Sequence, residues 1–247
     1  MRLTDPTTHP RDERIFFDEE PHKYYIDGST DGYISSTTLI HTYFKPFDAK
    51  QIAIQTFKKY HHVAGHKYFG MTASEIETLW SNNDAAQQGT KLHHDIENHI
   101  NQNPTHNESE EFQYFLKFAD DFQDLIPFRT EWTIFDEVHK VSGSIDIVFK
   151  GKNGGIILGD WKRSKEIRYG NKYQYGVNGL EHVQDCNFNH YALQLNLYRY
   201  ILETHYEQRV EGMFLVVLHP TNESYKKINI PRLEDDVVIM LNNRPAH

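Results

Sequence analysis

Two short apolar runs joined by a tight reversal constrain this chain more than any other feature. The first is Ile145-Asp146-Ile147-Val148-Phe149 and the second is Ile156-Ile157-Leu158-Gly159-Asp160-Trp161-Lys162, with Asn153-Gly154-Gly155 before the second. β-Branched and aromatic residues favour strands, and Asn-Gly-Gly accepts the positive φ that a reversal needs, so the pattern predicts a β-hairpin. Side chains at i and i+2 of a strand share a face. Asp160 and Lys162 therefore project together, Trp161 turns the other way into the core, and Asp146 reaches them from the paired strand. Two carboxylates and a lysine meeting at the end of a sheet make a site for a divalent metal ion with a cation beside it. That combination suits hydrolysis of a phosphodiester.

Helical patterns lie on either side. Gly89-Thr90-Lys91-Leu92-His93-His94-Asp95-Ile96-Glu97 falls in a helix predicted from about residue 85 to 100, with His93 and Glu97 four apart on one face. Downstream, Asn189-His190-Tyr191-Ala192-Leu193-Gln194-Leu195-Asn196-Leu197-Tyr198 places Gln194 and Tyr198 on one face, with Tyr191 a turn earlier. Leu193, Leu197 and Ile201 form the complementary apolar stripe. Phe112, Phe115, Phe118 and Phe122 mark a core-facing helix over 110–125, ended by Pro127. A strand carrying Glu131 follows it, and further strands are predicted at 210–218 and 225–230, then a helix at 232–242.

This ordered set resembles the PD-(D/E)XK nuclease superfamily, and within it the RecB-like exonuclease branch. The likeness covers residues 89–198: a G-T-x-x-H-x-x-x-E helix, an Asp strand, a D-x-K strand and a Q-x-x-x-Y helix. It implies an α/β (α+β) fold with a restriction-endonuclease-like core, a central mixed β-sheet flanked by helices. It also implies a Mg²⁺- or Mn²⁺-dependent deoxyribonuclease holding one or two ions. His93, Asp146, Asp160 and the Trp161 carbonyl would be ligands, Lys162 would join Asp146 and Asp160 in catalysis, and Glu97 and Glu131 are further candidates. Gln194 and Tyr198, with Tyr191, would position the scissile strand. The implied substrate is DNA, as single strands or duplex ends, cut by an exonuclease in replication, repair or recombination. A superfamily endonuclease on DNA or RNA, and a non-catalytic DNA-binding subunit, are the alternatives.

Composition narrows this further. The 247 residues allow one sizeable domain with an elaboration, expected as an N-terminal, mainly helical part over 1–84 and a nuclease core over 85–247. Cys186 is the single cysteine, which excludes a disulfide within the chain and a four-cysteine iron–sulfur cluster. The chain is thus similar to the branch's cluster-free members, such as the mitochondrial genome maintenance exonuclease and phage recombination exonucleases. A net charge of −9 argues against a general nucleic-acid coat protein. A nuclease needs only a local basic face, for which Arg163 and Lys165, with Lys162, Arg168 and Lys172, are candidates; Lys45, Lys50, Lys58, Lys59 and Lys67 form a second group. Residues 167–188 are rich in Tyr, Gly and Asn and read as a long loop in which Tyr169, Tyr173 and Tyr175 either stack on bases or pin the loop down. The sixteen histidines lack an H-E-x-x-H pattern and read mostly as surface or packing residues. No apolar run is long enough to cross a membrane, and the start lacks a secretory apolar region, so a soluble intracellular protein is expected. Residues 1–14 are expected to be disordered or draped over the surface. No helicase motif is present, so unwinding would come from a helicase or other replication or recombination partner.

Overall fold

Strands that are apolar on both faces must be covered from both sides, and this requirement organises the chain. The computed structural model describes residues 1–4, 7–80 and 84–244. β1 (Ile15–Asp18) and β2 (Lys23–Ile26) form a separate antiparallel hairpin. The central sheet has six strands: β3 (Ile34–Ser35), β4 (Pro127–Asp136), β5 (Val141–Lys150), β6 (Ile156–Lys162), β7 (Val210–Val217) and β8 (Lys226–Asn229). β4–β5, β5–β6 and β7–β8 are antiparallel, whereas β3–β5 and β6–β7 are parallel, so the sheet is mixed. The predicted reversal joins β5 to β6, with Gly154 at φ +81° and the Gly151 N–H donating to Gly155 O at 2.7 Å.

Helices cover both faces. α4 (Asp84–Ile100) and α5 (Glu110–Asp121) supply Leu92, Ile96, Phe115 and Phe118, which form one core layer with Ile147, Phe149, Trp161 and Phe214. α1 (Ser36–His41), α6 (Asn187–His205) and α7 (Glu234–Asn242) build the other layer, with Leu39, Leu193, Leu197 and Met240 against Leu158 and Leu215. α6 is the crossover that parallel β6 and β7 require. Local signals set the helix starts. Ser35 and Ser109 each accept a hydrogen bond from the backbone N–H three residues on, at 3.0 and 3.3 Å.

Contacts group the chain differently from the expected boundary at 84/85. Met1–Phe44 and Lys91–His247 form one compact unit and Lys45–Thr90 another. The N-terminal residues belong with the sheet because β3 pairs with the start of β5. They are also tied down by the Arg129–Asp12 and Arg11–Glu137 ion pairs and by Trp132 Nε1 donating to Asp12 Oδ1 at 3.0 Å. Residues 10–14 form a short 3-10 turn there and are ordered by these contacts; Asp5 and Pro6 lie outside the described residues. The second unit holds α2 (Ala49–Tyr60) and α3 (Ala73–Trp80), separated by a segment with Gly65 and Gly70, both at positive φ. Within it Thr72 and Glu75 cap the start of α3 reciprocally. Among the described residues, no helix is long and apolar enough to cross a membrane.

Candidate metal centre at a fork in the sheet

The sheet forks at β5. β4 pairs with one edge of this strand along its length. The other edge is shared: β3 takes Val141 and Ser142, and β6 takes Ile147–Lys150. The β6 ladder ends at Ile147–Gly159, one residue short of Asp146 and Asp160, so both carboxylates stand where the strands part. Beyond the ladder, the Trp161 N–H donates to Asp146 Oδ2 at 2.8 Å. A residue's N–H and C=O point to the same edge of a strand, so the Trp161 carbonyl faces the same gap. The Trp161 ring is buried on the opposite face, edge-on to Phe115 and Phe118.

His93 reaches the gap from α4, held there because Leu92 and Ile96 beside it are fully buried. Its Nδ1 lies 3.4 Å from Asp146 Oδ2. Glu131 reaches it from β4. In the register that pairs Thr130 with Ile147 and Trp132 with Ile145, Glu131 falls opposite Asp146. Like charges directly opposite one another are destabilising. Glu131 also has φ +42°, a conformation that costs a non-glycine residue energy. Its Oε2 accepts from Ser144 Oγ at 3.0 Å. Strain and like-charge crowding at one point mark a place where the fold gives up stability to keep a particular group.

Asp160 and Lys162 share a face, as i, i+2 spacing dictates. Lys162 Nζ donates to Asp160 Oδ1 at 3.0 Å and lies 2.8 Å from Oδ2, which makes no well-directed hydrogen bond of its own. Lys162 Nζ also sits 4.8 Å from the centre of the Tyr191 ring. Further along α6, Gln194 Nε2 donates to Tyr198 Oη at 3.0 Å and approaches Thr37 Oγ1 at 3.4 Å. Tyr198 is buried against Gly143 of β5, where an added Cβ would meet its ring at 2.5 Å.

The electrostatics show an excess of negative charge. Burial, then the Asp146 charge, pushes the Glu131 carboxyl up to about 8. Burial pushes Asp160 up to about 6, opposed by the Lys162 ammonium. Burial pulls on Lys162 in the other direction, yet the Asp160 and Asp146 charges hold it above its ordinary value. Burial raises Glu97 as well, and raises Tyr198 well above its ordinary value.

Among the described residues, His93, Glu131 and Asp146 bring one ligand atom each within 4.8 Å of one another. One imidazole nitrogen and two carboxylate oxygens, with a backbone carbonyl facing the gap, fit a hard or borderline divalent ion such as Mg²⁺ or Mn²⁺. Two of the expected ligands, His93 and Asp146, stand together with the further candidate Glu131. Glu131 stands in the trio, while Asp160 turns its carboxylate onto Lys162 at the border. Glu97 lies on the same helix face as His93 but outside the trio.

Two expected substrate contacts differ. Arg163 is tied to Glu111 of α5, Nε to Oε1 at 2.8 Å, with both side chains about one-tenth exposed. A desolvated carboxylate needs such a partner, so this guanidinium serves the core and not a ligand. Lys165 is exposed and has no ion pair among the described residues. The sequence reading missed Tyr24 on β2, a half-buried phenol raised by burial and by the Glu131 and Asp146 charges. The alternation around it predicts a strand but does not say which tyrosine turns inward.

No protein-family model matches the chain, and no curated protein does. Among solved structures it is similar to the crystal structure of SSO0001, with a TM-score of 0.38 and 16% identity over 87% of this chain and 74% of that one. A likeness that distant has no bearing on function.

Proposed function

We propose that this chain is a metal-dependent phosphodiesterase acting on DNA, and that it removes nucleotides from DNA ends. The observation that supports this best is the meeting of His93, Glu131 and Asp146 with the Asp160–Lys162 pair at the sheet fork. His93, Glu131, Asp146 and the Trp161 carbonyl would hold Mg²⁺ or Mn²⁺. Such an ion polarises a phosphoryl oxygen and makes water a stronger nucleophile.

The rest is the work of the chain's own groups. Lys162 stays charged between Asp160 and the Tyr191 ring, and places a fixed cation where phosphoryl oxygens gain negative charge. Asp160 aims that ammonium through its two short contacts. Gln194 is held by Tyr198 and Thr37, which take its two N–H groups and leave its amide oxygen for the substrate strand. The reaction is addition of water across a P–O bond, so one product carries a new hydroxyl and the other a phosphate.

The test is purified protein on end-labelled single-stranded, linear duplex and closed circular DNA, with Mg²⁺ or Mn²⁺ against EDTA. Loss of linear DNA with circles spared is expected. Cut circles would turn the reading to an endonuclease, and no cleavage of DNA or RNA would turn it to a binding subunit.

A further inference from the structure

The loop between β6 and α6 is held in shape mainly by hydrogen bonds, with an aromatic contact, Tyr169 on Phe188. Amide side chains and backbone bonds fix it. The Asn171 N–H donates to Gln184 Oε1 at 2.9 Å and Asn171 Nδ2 to Asp185 O at 2.9 Å, while the Tyr173 N–H donates to Asn171 Oδ1 at 3.1 Å. The Arg168 N–H donates to Asn187 Oδ1 at 2.8 Å, and Asn187 Nδ2 to Glu166 O at 2.8 Å. Backbone bonds Gly176–Val183 and Asp185–Gln174 close the far end, and Leu180 is fully buried beneath it.

From this fixed loop Tyr169 stands 62% exposed and Tyr173 94% exposed. A side chain that is nearly all in water pins nothing. Lys165, Arg168 and Lys172 beside them are exposed and have no ion pair among the described residues.

The aromatic residues also connect to the candidate centre. Lys162 Nζ faces the Tyr191 ring at 4.8 Å. Phe188 lies about 4.5 Å down the α6 axis from Tyr191, at about 1.5 Å rise per residue. The Tyr169 and Phe188 rings are 4.8 Å apart. Tyr191 and Phe188, three apart on α6, thus link the Lys162 ammonium and the exposed Tyr169 to one helix, and Lys165, Arg168 and Lys172 lie on the same loop as Tyr169. Preordered aromatic faces interleaved with free cations bind single strands, because every unpaired base offers a π-face and each nucleotide a phosphate.

We propose that this loop is a stacking track for single-stranded nucleic acid, with bases on Tyr169 and Tyr173 and phosphates on Lys165, Arg168 and Lys172. The proposal rests on the nuclease reading for its role, though its binding can be measured without cleavage. The probe is a fluorescent single-stranded oligodeoxynucleotide, read by anisotropy with the full chain in EDTA, beside a blunt duplex of the same sequence. Tyr173→Ala, and Tyr169→Ala separately, should each weaken single-strand binding at least about fivefold. Tyr173→Phe should bind as the parent does, and duplex binding should be unchanged, since its bases stack on one another. Lys165→Ala with Arg168→Ala should flatten the salt dependence, by roughly 0.7 in slope for each phosphate no longer neutralised.

No single-strand binding by the parent, or equal binding by Tyr173→Ala, would overturn the track. A protein that cuts DNA without this tyrosine dependence loses the track and keeps the nuclease reading. One that binds through the tyrosines yet never cuts keeps the track and loses the nuclease reading.

Discussion

At the scale of single residues, the fork crowds buried carboxyls around a single lysine and a histidine. Glu131 and Asp160 both bind protons more tightly in the folded chain than their ordinary values allow, Glu131 up to about 8 and Asp160 up to about 6. A raised folded value favours the folded state below the unfolded value, and that advantage is lost as pH rises through the folded one. For Glu131 the window runs from 4.5 to about 8. In EDTA, the melting temperature should therefore fall between pH 5 and pH 8, and Glu131→Gln should flatten that fall. A divalent ion binding the native chain should restore stability at pH 8 in the parent more than in Glu131→Gln. Equal pH profiles for the two proteins would contradict the assignment. At the same scale, Lys162→Ala should reduce metal-dependent cleavage by about 10²-fold or more while the circular dichroism spectrum is kept, as expected when a fixed charge is removed from the reacting group. Full activity in that variant would remove Lys162 from the chemistry. The convergence of Asp146, Asp160 and Lys162 was legible because strand periodicity fixes which side chains share a face, whereas His93 was singled out by the resemblance of its helix to the nuclease pattern. Glu131 was legible only as a candidate. Its place depends on the cross-strand register and on one backbone angle, and neither is visible in a linear pattern.

At the scale of elements, α5 and α6 each make a contact with the sheet that sequence periodicity does not contain. Arg163 looked like part of a basic face following the D-x-K strand. Its partner Glu111 lies 52 residues earlier and meets it only when α5 packs on the sheet. Arg163→Ala leaves Glu111 buried without a partner, so it should cost about 3 kcal/mol or more in a denaturant titration. Cleavage by the folded fraction should change little. A drop in single-strand binding at unchanged stability would return Arg163 to the ligand side. Gly143 plays the matching part for α6. A side chain there would press on Tyr198 at 2.5 Å and on Ser36 Oγ at 2.8 Å. Gly143→Ala should cost about 1–3 kcal/mol through overpacking and should lower activity by moving Gln194 with its tyrosine partner. Unchanged stability and activity would show that α6 tolerates the shift. α4, α5, α6 and α7 were readable from their side-chain spacing, to within a few residues at their ends. The hairpin reversal was readable from Asn153-Gly154-Gly155.

At the scale of the whole molecule, the resemblance implied an α/β fold around a central mixed sheet, and the six-stranded mixed sheet with its flanking helices agrees with it. The grouping of residues 1–44 with the sheet was not legible, because the two-residue β3 is too short to carry a pattern and its partner is over a hundred residues away. That strand matters to the site. By occupying only the first two residues of β5 on the edge it shares with β6, β3 leaves the gap at which the carboxylates gather. The proposed chemistry therefore depends on the fork acting as one unit. The most direct measurement is release of acid-soluble nucleotides from linear DNA by the parent and by Asp146→Asn, each in Mn²⁺ and in EDTA. The parent should release nucleotides in Mn²⁺ alone, and Asp146→Asn should fall about 10²-fold or more below it. Release that persists in EDTA, or that survives the removal of the Asp146 carboxylate, would contradict a metal-dependent centre at the fork.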